Sequence, residues 1–444
     1  MSIIQSTVRQ PFLFILLFFI AGLFIVFFLI MPSYEKLPEV ETVTKVFYVD
    51  NVSAAHKEII DRFNKAYSGN IEIVPINLPF SKFSTNERKE LLTRALRSKS
   101  NQIDLFTVDV IWVPRFARWC QPLDEYFPVN ERSKFVKSVL NSCYYDNHFY
   151  AIPLYTDISV MYYRSDIINR LPGAEEIEKK ISRSLTWQEF IDLHKRLKEN
   201  GLNYPFYVFS ADHFEGLTCS FYEGIAGLKS KVITKDSVNL NSPGVKKTIQ
   251  LLSDLVNKYK MSPPEVIKFD EYQGYQYALK NDAVFIRGWP GFLTQYNTVL
   301  DNAKKMKNIK MAPLPHMAGY PPKFVYGGWN FMISKYSEKK KEALSFIRFA
   351  LREENQKILF KIGGYIPVNK DVYKDTLFMT ENNELNNYLK FMENGFHRPY
   401  RKNYTRISDI ISYYLQKAIQ NQTSVEEVIN SMQRAINSDE TVIK

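Results

Sequence analysis

The stretch 45-KVFYVDNVSAAHKEIIDRFNKAYSGNIEIVPIN-77 holds the decisive pattern of this chain. Its opening, 45-KVFYV-49, is rich in β-branched and aromatic residues and reads as a strand. The period then changes. Ala55, Ile59, Phe63 and Tyr67 recur every fourth residue, the spacing of one helix face, with Ser53 or Asn51 as the cap. Residues 71-IEIVPIN-77 return to a strand, followed by a helix over about 86–97 and a strand at 103-IDLFTVD-109. Alternation of this kind predicts an open α/β sheet with helices on its faces.

Similar units recur further on. Thr186 opens a helix at 186-TWQEFIDLHKRLKEN-200, with Glu189 at capping-box spacing. Ser242 and Pro243 start another, in which Val245, Ile249, Leu252 and Val256 share a face. Strand-like runs at 283-AVFI-286, 309-IKMAPL-314 and 331-FMIS-334 interleave, and helices dominate about 337–362 and 404–436. With 444 residues, 45% hydrophobic and 24% charged, the chain has ample length for two α/β lobes and a helical C-terminal portion.

Upstream lies 11-PFLFILLFFIAGLFIVFFLIM-31, an uncharged run long enough to cross a bilayer of roughly 30 Å as a helix. Arg9 precedes it, and Glu35, Lys36, Glu39 and Glu41 follow, which favours a cytoplasmic N-terminus and an exported body. No small-x-small cleavage site follows Met31, so residues 1–32 read as an uncleaved anchor or signal and 33–44 as a tether. The net charge of +11 is spread along helix faces, which points to a solvated surface. Cys120, Cys143 and Cys219 form no C-x-x-C. Cys120 and Cys143 could pair outside the cytoplasm, and buried free thiols are the other reading.

Sequence patterns for catalysis are missing. The histidines form no H-E-x-x-H, and neither a G-x-S-x-G elbow nor a phosphate-binding G-x-x-x-x-G-K-[ST] loop occurs. No basic stripe interleaved with aromatics suggests nucleic acid. No cofactor is expected.

Several motifs occur in one order: 103-IDLFTVDVIWVPRFARWCQPLDEYF-127, 150-YAIPLYTDISVMYYRSDII-168, 185-LTWQEF-190, 283-AVFIRGWPGFL-293, 326-YGGWNFMIS-334 and 362-IGGYIPVNKDVY-373. Together they resemble the extracellular sugar-binding proteins of ABC importers, in particular the trehalose- and maltose-binding branch, across residues 45 to about 410. The resemblance implies a two-lobe periplasmic-binding-protein fold of type II, with ligand held between lobes that close about three crossing strands. It puts the crossings near 152–158, 312–320 and 364–369. Lobe I is then 44–155 plus 316–366, and lobe II 156–315 plus 367–444. The implied partners are a sugar and the permease subunits of an ABC transporter, at the extracytoplasmic face of the membrane.

A sugar site needs groups that donate and accept around the hydroxyl rim, and aromatic planes against the C–H faces. Asp109 ends a strand, where open α/β sheets bind ligands; its structural reading is an N-cap for the helix that follows. Tyr155 and Asp157 fall on the first crossing. Trp289, on an exposed Gly-Pro-Gly loop, and Trp329, on a turn whose Gly327 and Gly328 permit close approach, are candidate platforms. Arg398 matches an arginine that reaches the ligand in some relatives, or is a surface charge. Trp112 reads as packing, and Arg164 with Asp166 as a structural pair. The loop after the first strand, with Asp50 and Asn51, departs from the family pattern and leaves the cargo open. Three rivals stay beside the sugar reading. One is a binding protein for a polyamine or anionic solute, disfavoured for cations by Arg398. Another is a membrane-anchored sensory or interaction protein, and the last a carbohydrate-active enzyme built on Asp109 and Asp157.

Overall fold

The computed structural model describes residues 43–438, apart from 100, 230–231, 235–236 and 297–302, together with Gly22. The expected anchor at 11–31 and most of the tether thus lie outside the described residues. Among the described residues no helix is long and apolar enough to cross a membrane.

Two sheets organise the chain. Strands β1 (Thr44–Asp50), β2 (Ile71–Asn77) and β3 (Leu105–Asp109) run parallel in the first. Helices α1 (Ala54–Ala66) and α2 (Thr85–Arg97) connect them; Ser53, one of the two expected caps, caps α1, and Ser84 with Glu87 forms a capping box on α2. The parallel order β2-β1-β3 places Pro75 on an edge strand, where its missing N–H costs little. The apolar face of α1 is buried, and Phe63 meets Phe346 and Phe349 edge-on at 5.2 and 5.4 Å. Those two rings belong to Lys340–Ala350, one of the helices over the sheet.

The chain leaves this sheet through β4 (Ile152–Ile158) and continues as β5 (Val160–Arg164) in the second. There β5 lies between β7 (Phe285–Gly288) and β8 (Ile309–Ala312), with β6 (Tyr207–Val208) beyond β7. It returns through 313–323 to β9 (Phe324–Ile333), which pairs antiparallel with both β3 and β4. A third passage runs past Ile366, bridged to Thr156. Helices α3 (Glu215–Gly227), α4 (Pro243–Asn257) and α5 (Tyr404–Ile419) pack together, and α3 touches both sheets, lying against β9 and pairing its Glu223 with Arg287 of β7.

Two details differ from the expected division. The first sheet keeps β4 through Ile158, beyond the boundary expected at 155, and the sheets change at Ser159. The short strand β10 (Gly395–Phe396) joins the first sheet alongside β9, although its segment was expected in the second lobe. Arg164 and Asp166 form the expected pair at 2.7 Å. The three cysteines are free and buried, and burial pushes each thiol up, so Cys120 and Cys143 are not paired.

Candidate functional site

Strand register builds the site. In the antiparallel ladders of β9, Trp329 stands opposite Asp109 of β3 and Tyr155 of β4, and Gly327 opposite Asp157. Cross-strand partners share a face of a sheet, so Asp109, Trp329 and Tyr155 form one row and Gly327 with Asp157 the next. This patch lies where β3 ends and β4 crosses to the other sheet, the position at which open α/β sheets take ligands.

The sequence 326-YGGW-329 is not a turn. It lies in the middle of β9, with a register shift between Trp329 and Asn330. Gly328 has φ +125°, and a Cβ there would stand 2.6 Å from the Tyr155 carbonyl oxygen and 2.9 Å from Thr156 Cα. Its glycine character therefore serves strand-to-strand contact with β4. A Cβ on Gly327 would instead meet Trp289 Cζ3 at 3.0 Å and Asp157 Cβ at 3.2 Å. Gly327 is the place where the aromatic from the second sheet rests on the first.

Trp289 follows β7 and is half-buried, not exposed on its loop. Its Nε1–H donates to Glu271 Oε1 at 3.1 Å, its backbone N–H donates to the Tyr275 hydroxyl at 2.9 Å, and the Arg287 guanidinium lies 4.4 Å above the ring. The fixation arises because Gly-Trp-Pro-Gly packs against the helix Glu271–Lys280. Trp329 is held likewise: Trp112 and Phe80 meet it edge-on, and Arg88 stacks 4.4 Å from its centroid. Trp112 thus packs, as its sequence context suggests.

Arg398 is buried, which removes the surface-charge reading. Its Nη2 donates to Asp109 Oδ1 at 3.0 Å and its Nη1 to Glu215 Oε1 at 2.7 Å, tying the end of β3 to the first turn of α3. Among the described residues its Nε has no partner. Asp109 also accepts the Ile111 N–H at 3.1 Å, so it caps the turn after β3 while it faces the patch. Burial raises its carboxyl above the usual range, with Arg398 pulling the other way. Asp157 differs from all of these. No hydrogen bond from a described residue reaches its carboxylate, and burial, reinforced by Asp109, pushes it up to about 8.

The loop after β1 is consumed internally. Asp50 accepts from Tyr48, Thr107, Arg88 and the Asn51 N–H, and His56 Nε2 lies 3.6 Å away. Arg88, Glu215, Glu271 and Arg287 escaped the sequence reading. Arg88 was within reach of it, because Arg88, Leu92 and Leu96 repeat every fourth residue on the buried face of α2. No metal-holding group of carboxylates, histidines and cysteines occurs among the described residues.

Comparison with known proteins agrees with this architecture. The family model described as bacterial extracellular solute-binding protein matches residues 49–357. A curated "Probable ABC transporter-binding protein" of Deinococcus radiodurans is 23% identical over 77% of this chain and 80% of its own length. An arabinooligosaccharide-binding protein of Halalkalibacterium halodurans is 24% identical over 73% of this chain and 70% of that protein. Among solved structures, maltose-bound MalE3 of T. maritima superposes with a TM-score of 0.79 at 26% identity, covering 89% of this chain and 99% of that one. A match over most of the folded body decides the family: the chain belongs to the bacterial extracellular solute-binding proteins, with a two-lobe α/β fold, and is an extracytoplasmic binding protein of the ABC-importer kind, not an enzyme.

Proposed function

We propose that the protein captures a di- or oligosaccharide between its lobes and delivers it to an ABC permease, held at the outer face of the membrane by residues 11–31. The lobes in this reading are 44–158 with 324–366, and 159–323 with 367–444, the C-terminal segment lending Gly395–Phe396 to the first sheet. Asp109, Tyr155, Asp157, Trp289, Gly328, Trp329 and Arg398 form or support the floor.

The observation that supports a sugar most is the mixture of unmet groups around two fixed indoles. Among the described residues nothing hydrogen-bonds the Asp157 carboxyl, and Arg88 Nε and Nη1, Arg287 Nε and Arg398 Nε are buried donors without partners. Hydroxyls both donate and accept, so one polyhydroxylated ligand answers both needs. Trp289, half-buried, supplies an apolar edge for the C–H surface of a sugar ring, with the buried Trp329 packed beneath the floor. The oligosaccharide named for the Halalkalibacterium relative and the maltose in the T. maritima structure belong to the same chemical class. The test is a thermal-shift screen of the full-length chain in detergent against disaccharides, glycerol phosphates, polyamines and peptides. At a hundredfold excess over Kd, binding to the folded state adds about 2.7 kcal/mol. A disaccharide should raise the midpoint, and Trp289→Ala should abolish the rise. A shift with polyamines or phosphates alone, or no shift at all, refutes the sugar reading.

A further inference from the structure

Two helices meet beside the site, α2 from the first lobe and α5 from the second. Helix α5 rests on the turn Val110–Trp112, whose cap is Asp109. The first turn of α2 borders the same place, because Arg88 stacks on Trp329. The next residue, Lys89, has a side chain only 4% exposed, and its Nζ donates to Asp409 Oδ2 of α5 at 3.5 Å. Asn86 donates to Asp409 Oδ1 at 3.3 Å and accepts from Lys89 at 3.4 Å.

Each of the two charges depends on the other lobe. Among the described residues Asp409 is the one carboxylate that Lys89 reaches, and the Asp409 carboxylate accepts only from Asn86 and Lys89. The neighbouring acid on α2, Glu90, is taken by Arg115 at 3.0 Å, and the same guanidinium donates to Thr405 of α5 at 3.1 Å. From its own side Asp409 is held by the backbone, where the His213 ring donates to its carbonyl at 2.9 Å.

A lysine is almost never fully buried without a partner, since its ammonium is strongly hydrated. Lys89 lies buried where α5 meets α2, so seating the lobes withdraws its ammonium from water. Removing one member of such a pair leaves the other desolvated and uncompensated, whereas removing both leaves no charge to desolvate. We infer that Asp409 is the counter-charge that lets α5 close over α2, and so sets ligand affinity without touching the ligand. The inference rests on the lobe division of the proposed function and does not require the cargo to be a sugar.

The test is a distance measurement between spin labels on Arg94→Cys of α2 and Lys247→Cys of α4, both exposed positions, in the full-length chain in detergent. Helix α4 packs on α5, so this spacing reports whether α5 is seated, and the buried native thiols stay unlabelled. The parent should populate the spacing of the structure, and Asp409→Ala should lower that population at least threefold. Adding Lys89→Met to Asp409→Ala should restore most of it, an outcome that a purely local packing role for Asp409 does not produce. Asp409→Asn, a change of equal size at a side chain 39% exposed, gives the same comparison should the alanine variant fold poorly. An unchanged population in the single variants, or a double variant no more closed than Asp409→Ala, overturns the inference. So does a parent that never shows the seated spacing, with or without maltose. Where maltose closes the parent, its Kd should rise at least threefold in Asp409→Ala, and an unchanged Kd overturns the inference too. Maltose that shifts nothing, in chains whose variants behave as stated, counts against the sugar reading and leaves this one standing.

Discussion

Replacing Arg398 by methionine tests how the two halves of the site are joined. The guanidinium donates to Asp109 at 3.0 Å and to Glu215 at 2.7 Å, and the arginine is 3% exposed. Methionine fills similar volume but leaves two carboxylates facing each other without their cation. Breaking a buried pair by removing one partner costs about 3–5 kcal/mol, since the remaining charge is desolvated and uncompensated. Lysine should recover only part of this, because a single ammonium cannot span both carboxylates as the planar fork does. Combining Arg398→Met with Asp109→Asn and Glu215→Gln should restore most of the loss, because a wholly neutral cluster carries no orphaned charge. Urea unfolding of the full-length chain in detergent, followed by tryptophan fluorescence, reads these differences as midpoint shifts. If Arg398→Met lies within about 0.5 kcal/mol of the parent, the range of ordinary surface changes, the bridge from β3 to α3 is not what holds this arginine. If the triple variant is no better than the single one, the cost is lost packing and the electrostatic argument fails.

Gly328→Ala should destabilise by about 2–5 kcal/mol, combining left-handed strain with overpacking against the Tyr155 carbonyl; the same urea assay measures it, and a neutral result denies the close β4–β9 contact. The three thiols should resist an aromatic disulfide reagent at pH 8 in the native state and react fully after unfolding, as buried thiols with raised pKa do; rapid native labelling would contradict their burial. Asp157→Asn should gain stability relative to the parent as pH climbs from about 4 to about 8. The parent carboxyl binds a proton in the folded state but not in the unfolded state across that window, so its stability falls with rising pH. A stability difference that is flat with pH in ligand-free protein refutes the raised carboxyl.

Much of the architecture could be read from the chain because its signals are local. The alternation over 45–109 needs only helix and strand periods, and β1, α1, β2, α2 and β3 follow it closely. The seven candidate residues also converge on one place, for a reason that the motifs alone do not express. Register brings Asp109, Trp329, Tyr155 and Asp157 together across three strands separated by long stretches of sequence. What failed was the inference from neighbours in sequence to local conformation. Two adjacent glycines before a tryptophan read as a turn, yet in β9 one accommodates the backbone of β4 and the other the Trp289 ring. The loop Gly-Trp-Pro-Gly read as exposed, yet Glu271 and Tyr275 fix its indole from a helix whose contact with the loop has no sequence signature. Glu215 was invisible because an acidic first-turn residue favours any helix N-terminus. Its partner lies 183 positions away.

The same strands carry the floor and the passage between sheets, which bears on how occupancy and lobe angle are linked. Tyr155 and Asp157 belong to β4, and Ser159 follows directly at the change of sheet. The Ser159 N–H donates to the Val325 carbonyl at 3.1 Å, and the Val325 N–H donates to Ser159 Oγ at 2.9 Å, so the two passing strands are pinned beside the site. Trp289 reaches the same patch from the second sheet and Arg398 ties that patch to α3. A ligand group between Asp157 and Trp289 would therefore touch both sheets within two residues of the pin. Coupling between binding and closure requires only that the two lobe arrangements differ in their contacts to that ligand. Asp157, the proposed contact on β4, stands two residues from Ser159, so in this reading no relay through the body of either lobe is needed.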